Sequence, residues 1–355
     1  WEKKDTEVMK LWNKMNAWVY EGFEATYKTM GIKFDTIYKE SETYLLGKGI
    51  VKEGLEKQVF YQRKDGSVWI DLREEGLDEK LVMRSDGTSV YITQDIGTCD
   101  LKYQDFSMDQ SIYVVGNEQD YHFNVLFTIM KKMGRPYGKG LHHLSYGMVD
   151  LPSGKMKSRE GTVVDADELM DEMFITAAKH TLELGKIEEL TEIESKSLFR
   201  MVGLGALKFF LLKVDPKKRI LFDPKESIEF QGHTGPFVQY TYARISAVLR
   251  RASLNGINKE LLPIKEIHSR EQMLLAHLVK FEEVIEQAAR DYSPALLAQY
   301  VYDLAKYYNR FYQELSIFNE SYDNLVIFRI GLSRLTAKVI RRSMNLLGIE
   351  VPNRM

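Results

Sequence analysis

Between Ser111 and Leu151 the chain reads strand, turn, helix, strand within about forty residues, an order that few folds accept. Ser111-Ile112-Tyr113-Val114-Val115-Gly116 is a short apolar run, expected to be a buried strand entering a glycine turn. A helical pattern follows from Glu118 to Met133 and stops at Gly134. Leu141 to Leu151 reads as a second strand. This is a βαβ unit, which implies a parallel sheet with a ligand crevice at the carboxyl edge of its strands.

The flanks have different textures. From Asp5 to Met30 the apolar residues Val8, Leu11, Met15, Trp18 and Tyr27 recur at a helical period, and Gly31 stands where a helix cap belongs. Val59-Phe60-Tyr61 and Val68-Trp69-Ile70 flank Lys64-Asp65-Gly66-Ser67, a hairpin signal. From Asp165 onward strands are not expected. Asp165 and Glu168 form a candidate capping box, and helical periodicity runs to about Lys213. After an irregular stretch from Val214 to Lys225, a last helical block begins near Gly235-Pro236 and continues to Arg354. The expected fold class is α/β followed by all-α, with divisions at 1–164, 165–230 and 231–355.

Composition narrows the function classes only modestly. At 355 residues two or three domains are expected, and a net charge of −2 means that any nucleic-acid contact must come from local basic stripes. The single cysteine, Cys99, rules out an intramolecular disulfide and a multi-cysteine zinc site, so no metal is assigned to protein ligands and a reducing cytoplasm is expected. No stretch approaches the roughly 18 uninterrupted apolar residues of a membrane span, so no membrane partner is expected.

Four constellations could carry chemistry. The loop Ser153-Gly154-Lys155-Met156-Lys157-Ser158-Arg159-Glu160-Gly161-Thr162 places three cations and the Ser158 hydroxyl between two glycines, which suits a triphosphate clamp. A basic surface turn is the plainer alternative. In Arg84-Ser85-Asp86-Gly87-Thr88-Ser89-Val90-Tyr91-Ile92-Thr93-Gln94-Asp95, a tight turn leads to a short helix capped by Thr88 or Ser89. Tyr91 and Asp95 then share one face, a phenol beside a carboxylate that fits a planar guanidinium. A capped surface helix would look the same. Gln119 and His122, just past the first strand, could hold a ribose or a substrate amine, or merely open a helix. Lastly, Tyr240, Arg244 and Arg251 share one helix face, Lys306 and Arg310 another, and Arg334, Lys338, Arg341 and Arg342 form a basic stripe. Aromatics from Tyr300 to Tyr312 accompany them, most at core spacing; such stripes suit RNA.

In this order the four blocks resemble the arginyl-tRNA synthetase family of class I synthetases. Lys155-Met156-Lys157-Ser158-Arg159 resembles that family's variant of the KMSKS signature, and Arg84 to Asp95 resembles its "RSDGT" block. His233-Thr234-Gly235-Pro236-Phe237-Val238-Gln239-Tyr240-Thr241-Tyr242-Ala243-Arg244 resembles the opening of a DALR-type anticodon-binding bundle, and the ending from Leu346 to Met355 is similar too. The HIGH signature is absent: His142-His143 and His233-Thr234-Gly235 lack its spacing. The resemblance therefore implies a C-terminal portion: the second half of a Rossmann-type catalytic domain, a helical junction and the anticodon bundle.

It also implies roles. Lys155, Lys157, Ser158 and Arg159 would serve catalysis, Tyr91, Asp95 and Gln119 would bind arginine, and His122 and Met156 would bind ATP, accompanied by Mg²⁺. Tyr240, Arg244, Arg251, Arg334, Lys338 and Arg341 would bind the tRNA for arginine. Monomer is the family habit. A non-catalytic tRNA-binding protein on the same scaffold is the alternative. A cysteinyl synthetase is disfavoured by the single cysteine, and a plain nucleotidyl transferase leaves the basic bundle without a role.

Overall fold

The computed structural model describes residues 5–150, 165–183, 190–255, 264, 266–318 and 323–355. The Lys155–Arg159 loop lies outside the described residues. Helix α1 (Thr6–Met30) opens the chain, followed by α2 (Glu40–Thr43) and α3 (Gly47–Glu56). Strands β1 (Tyr61–Gln62), β2 (Val68–Ile70) and β3 (Lys80–Met83) precede α4 (Tyr91–Phe106). Then come β4 (Ser111–Gly116), α5 (Asp120–Lys132), β5 (Leu141–Tyr146) and β6 (Val149–Asp150). The remainder is α6 (Ala166–Glu183), α7 (Glu192–Leu212), β7 (Ile220–Leu221), α8 (Pro224–Ser227), α9 (Gly235–Leu254), α10 (Ser269–Val279), α11 (Phe281–Arg290), α12 (Pro294–Glu314) and α13 (Asp323–Leu346). Two compact units result: residues 34–148, and residues 1–33 with 149–355.

The 34–148 unit contains the expected βαβ. Strands β4 and β5 pair in parallel, Ser111 opposite Leu141 through Gly116 opposite Tyr146, with α5 crossing between them. Phe123, Leu126, Ile129 and Met130 of α5 enter a core shared with Ile92, Ile96 and Cys99 of α4 and Val68, Ile70 and Val82 of β2 and β3. One expectation fails here. Strand β4 is not buried on both faces: Ile112 is 44% exposed and Val114 62%. Parallel strands are normally covered on both sides, and the helix between these two covers one.

Other corrections follow from pairings that local pattern does not reveal. The hairpin strand begins at Tyr61 rather than Val59, and β3 adds an antiparallel third strand, Ile70 opposite Lys80. The stretch from Leu141 is interrupted after Tyr146, and β6 pairs in parallel with β7. A strand therefore does occur after Asp165. The last helix ends at Leu346, where Gly348 takes a left-handed φ of 67°, so helix does not reach Arg354.

Helix α4 is held close to α3. A Cβ on Gly97 would lie 2.7 Å from the Gly47 nitrogen, and one on Gly47 would lie 1.9 Å from the Thr93 carbonyl oxygen. Glycine is required at this crossing because two backbones meet there. Below it, the Arg135 guanidinium donates to both Glu53 oxygens at 2.8 Å and to Asp100 Oδ2 at 2.6 Å, and the Tyr137 hydroxyl donates to Asp100 Oδ1. Arg135, with Lys57 beside it, pulls the Glu53 carboxyl from 4.5 down to about 2.

In the second unit, α1 contributes no buried residue: Val8, Leu11, Met15 and Trp18 form its apolar stripe and are all exposed. Helices α9, α12 and α13 pack on one another around Tyr242, Leu304, Tyr308, Phe311 and Ile340. Gly205 of α7 and Gly235 of α9 meet at a second close crossing, where a Cβ on Gly235 would lie 2.4 Å from the Gly205 carbonyl oxygen. Gln239, fully buried, donates to Met201 O at 3.0 Å and Glu350 O at 2.8 Å, tying α9 to α7 and to the C-terminal segment.

Two outcomes are expected. Gly97→Ala forces α3 and α4 apart and lowers stability by about 1–3 kcal/mol in denaturant unfolding. Because the Glu53 carboxyl is depressed, its contribution is complete above about pH 4.5 and is lost as pH falls toward 2. Thermal melts of the chain should decline across that window, and Arg135→Ala should flatten the decline.

Candidate functional site

The turn before α4 is built by the residues that precede the helix. Arg84 N–H donates to the Thr88 carbonyl, Gly87 takes a φ of 76°, and the Asp86 carboxylate accepts from Thr88 N at 2.9 Å and Thr88 Oγ1 at 2.7 Å. The Arg84 guanidinium is spent locally on Thr88 Oγ1 and Ser89 O. The expected cap is corrected: neither Thr88 nor Ser89 caps the helix. Val90 occupies that position, and its N–H donates to Thr93 Oγ1 at 3.0 Å. Thr88 is consumed by the Asp86 turn, which explains the shift.

Starting the helix at Tyr91 puts Tyr91 and Asp95 one turn apart on α4. Tyr91 is 78% exposed, a large side chain available to a ligand. Gln119 ends a short 3-10 turn (Asn117–Gln119) that follows Gly116 directly and serves as the residue before α5, with His122 three positions on. The structure joins two positions that sequence reasoning kept apart. His122 Nε2 lies 2.7 Å from Asp95 Oδ2.

A residue that sequence reasoning dismissed lies close by. His143 Nε2 reaches the Val115 carbonyl at 3.0 Å, its Nδ1 lies 3.2 Å from Asp120 Oδ1, and its ring packs on Phe123 at 4.5 Å. Only the β4–β5 register, which sets His143 opposite Tyr113, could have revealed it. His122, Asp95, His143 and Asp120 thus form a group of polar side chains joined through Phe123 beside the parallel strands. Polar groups of this kind fit the sugar of a nucleotide or the amine of a small substrate. Among the described residues there is no group of three His, Cys, Asp or Glu arranged to hold a metal.

The second candidate surface is on the helical unit. Tyr240 and Arg244 of α9 line a cleft of about 390 Å³ with Phe230, Gln231, Phe237, Asn309 and Gln313. The Arg244 guanidinium donates to the Asn309 side-chain oxygen Oδ1 and lies over the Tyr240 ring at 4.9 Å and the Tyr312 ring at 5.3 Å. Asn309 and Gln313 escaped sequence reasoning because α12 reaches this cleft only through its packing on α9. Arg251 sits over the Phe318 ring at 4.4 Å. Arg334, Lys338, Arg341 and Arg342 are all exposed along α13. Arg341 also donates to the Tyr242 hydroxyl and, at 3.4 Å, to Asn353 Oδ1, so it secures the C-terminal segment as well. Of the aromatics from Tyr300 to Tyr312, Tyr300, Tyr308 and Phe311 are core, and Tyr312 is exposed.

Two family models match the chain: "tRNA synthetases class I (R), catalytic domain" over residues 1–223 and "DALR anticodon binding domain" over residues 238–355. The chain belongs to the class I arginyl-tRNA synthetase family. It is 58% identical over 358 residues to the arginine–tRNA ligase of Amoebophilus asiaticus and 57% identical over 357 to that of Parabacteroides distasonis. In both comparisons all of this chain is covered, but it spans only 60% of the relative's length. The fold is shared with solved arginyl-tRNA synthetases. That of Thermus thermophilus matches with a TM-score of 0.80 at 24% identity, covering 94% of this chain and 62% of that one. That of Plasmodium falciparum matches with a TM-score of 0.81 at 21% identity, covering 100% and 60%. The expected class I catalytic fold followed by a DALR bundle therefore holds for this member of the synthetase family.

Arg334 and Lys338 give a test of the basic face that leaves the core untouched. Replacing both with Ala should weaken binding of a folded RNA and reduce the slope of log K against log salt by about 0.7–0.9 for each phosphate no longer neutralised. Filter binding at several salt concentrations reads this directly.

Proposed function

We propose that this chain is the part of an arginine–tRNA ligase that recognises arginine and grips the tRNA. The observation that carries the reading is the Asp95 carboxylate, side chain 41% exposed, standing one turn of α4 from the exposed Tyr91 phenol. A carboxylate accepts paired hydrogen bonds from a guanidinium fork, and an ammonium has no such fork. Tyr91 offers the ring on which that planar cation stacks. Gln119, with one carbonyl and two N–H groups, is suited to the amino-acid end of the substrate.

In the reaction, the arginine carboxylate attacks the α-phosphate of ATP, arginyl-adenylate forms and pyrophosphate leaves. A terminal ribose hydroxyl of the tRNA then takes the arginyl group and AMP departs. Asp95, Tyr91 and Gln119 position arginine for the first step, and His122 is assigned to the nucleoside through its likeness to the family's motif. Lys155, Lys157, Ser158 and Arg159, with Met156, are assigned to the triphosphate through their likeness to the KMSKS signature. Mg²⁺ would be held largely by the phosphates. Stabilisation comes from fixed charges and orientation, with no covalent enzyme intermediate.

On the helical unit, the cleft floored by Tyr240 and Arg244 suits an unpaired anticodon base, since rings and a guanidinium plane both stack on bases. Arg251, Arg334, Lys338 and Arg341 would contact the RNA backbone. No helix among the described residues is long and apolar enough to cross a membrane, and a cytoplasmic monomer is the accompanying expectation. Because the chain spans 60% of its relatives, a tRNA-binding protein without turnover is the second reading.

Calorimetric titration with arginine tests the site itself. Asp95→Asn should weaken arginine binding by about thirtyfold or more, the loss of a charge-assisted pair worth about 2 kcal/mol. Lysine should bind poorly to both proteins. Unchanged arginine affinity in the variant would remove Asp95 from the site. Retention of arginine-accepting tRNAs over others by the chain, read by sequencing, tests the bundle.

A further inference from the structure

The contact between His122 and Asp95 has chemistry beyond placing two polar residues in one crevice. An ionised carboxylate can only accept hydrogen bonds, so His122 Nε2, 2.7 Å from Asp95 Oδ2, carries the hydrogen. In the neutral ring the lone pair is then on Nδ1, which has no hydrogen-bond partner among the described residues. The ring itself is held by an aromatic wall. It meets Phe123 edge-on at 5.6 Å and 83°, and Phe123 packs on Tyr113 at 5.0 Å. His122 is less exposed than the carboxylate it touches, 28% against 41% for the side chains.

An aspartate carboxylate on its own rotates in a broad torsional well. A guanidinium fork needs both oxygens presented in one plane, and a carboxylate with about four lone-pair sites can serve the fork and a third donor together. A ring nitrogen fixed against Phe123 holds that plane before the ligand arrives, which lowers the ordering entropy of binding.

We propose that His122 is the positioning residue for Asp95: its ring N–H holds the carboxylate in the plane that a guanidinium fork needs. The inference rests on the reading of Asp95 as the partner of arginine.

Calorimetric arginine titrations of the whole chain test this, with His122→Ala, His122→Gln and Asp95→Asn beside the unaltered protein. His122→Ala should bind arginine about tenfold more weakly, the value of one hydrogen bond to a charged group. His122→Gln keeps an N–H at the reach of Nε2 and should stay within about threefold. Equal binding by His122→Ala, or no rescue by glutamine, overturns the inference. The reading beneath it fails separately, if Asp95→Asn binds as tightly as the unaltered chain or the unaltered chain binds no arginine. Thermal melts of His122→Ala identify a folding defect, and the glutamine variant then decides alone.

Discussion

The placement of α4 is the constraint on which the catalytic unit depends. At one level α3 and α4 touch backbone to backbone through Gly47 and Gly97, where no side chain fits. At another, one guanidinium, Arg135, is shared by Glu53 of α3 and Asp100 of α4. A partly buried cation between two carboxylates is strongly destabilised when one partner is removed. The bidentate geometry also fixes direction as well as distance. Tyr91 and Asp95 inherit their position from this clamp. Two candidate site residues are therefore held by residues of a different motif.

The helical unit uses the same device with different chemistry. Gly205 and Gly235 allow α7 and α9 to cross closely, and the buried Gln239 amide joins α9 to two backbone carbonyls. Lys208 donates to the carbonyls of Met30 and Gly348, so the ends of α1 and α13 are tied to α7 by one ammonium, whose burial lowers its affinity for a proton. Part of a motif that resembles an RNA-binding signature is thus scaffold: within His233 to Arg244, Gly235 and Gln239 build the helix crossing, whereas Tyr240 and Arg244 face the cleft. Family motifs mix the two kinds of residue, and only packing separates them.

The same separation applies before α4. Arg84, Asp86 and Thr88 satisfy one another and shape the turn, leaving Tyr91 and Asp95 for the crevice. His122 and Asp95 stand 27 residues apart in sequence and within hydrogen-bond distance in space, which makes one site of two motifs.

Local pattern was enough for much of this. The period of α1 and its glycine cap, the Asp65-Gly66 hairpin, the βαβ order and the ordered motif blocks are short-range features. Neighbouring residues dictate them through backbone sterics and side-chain reach. What the sequence could not decide were the outcomes of distant packing. The pairing of β3 with β2 and of β6 with β7, the uncovered face of β4 and the exposed stripe of α1 depend on which element lies opposite, not on the residues within the element. The same holds for the site: periodicity placed Tyr91 and Asp95 on one helix face, but the packing of α5 on α4 brought His122 to Asp95. A hydrogen bond across 27 residues is set by tertiary geometry, because its energy of about 1–3 kcal/mol can be realised only after the backbone has already been fixed by the core.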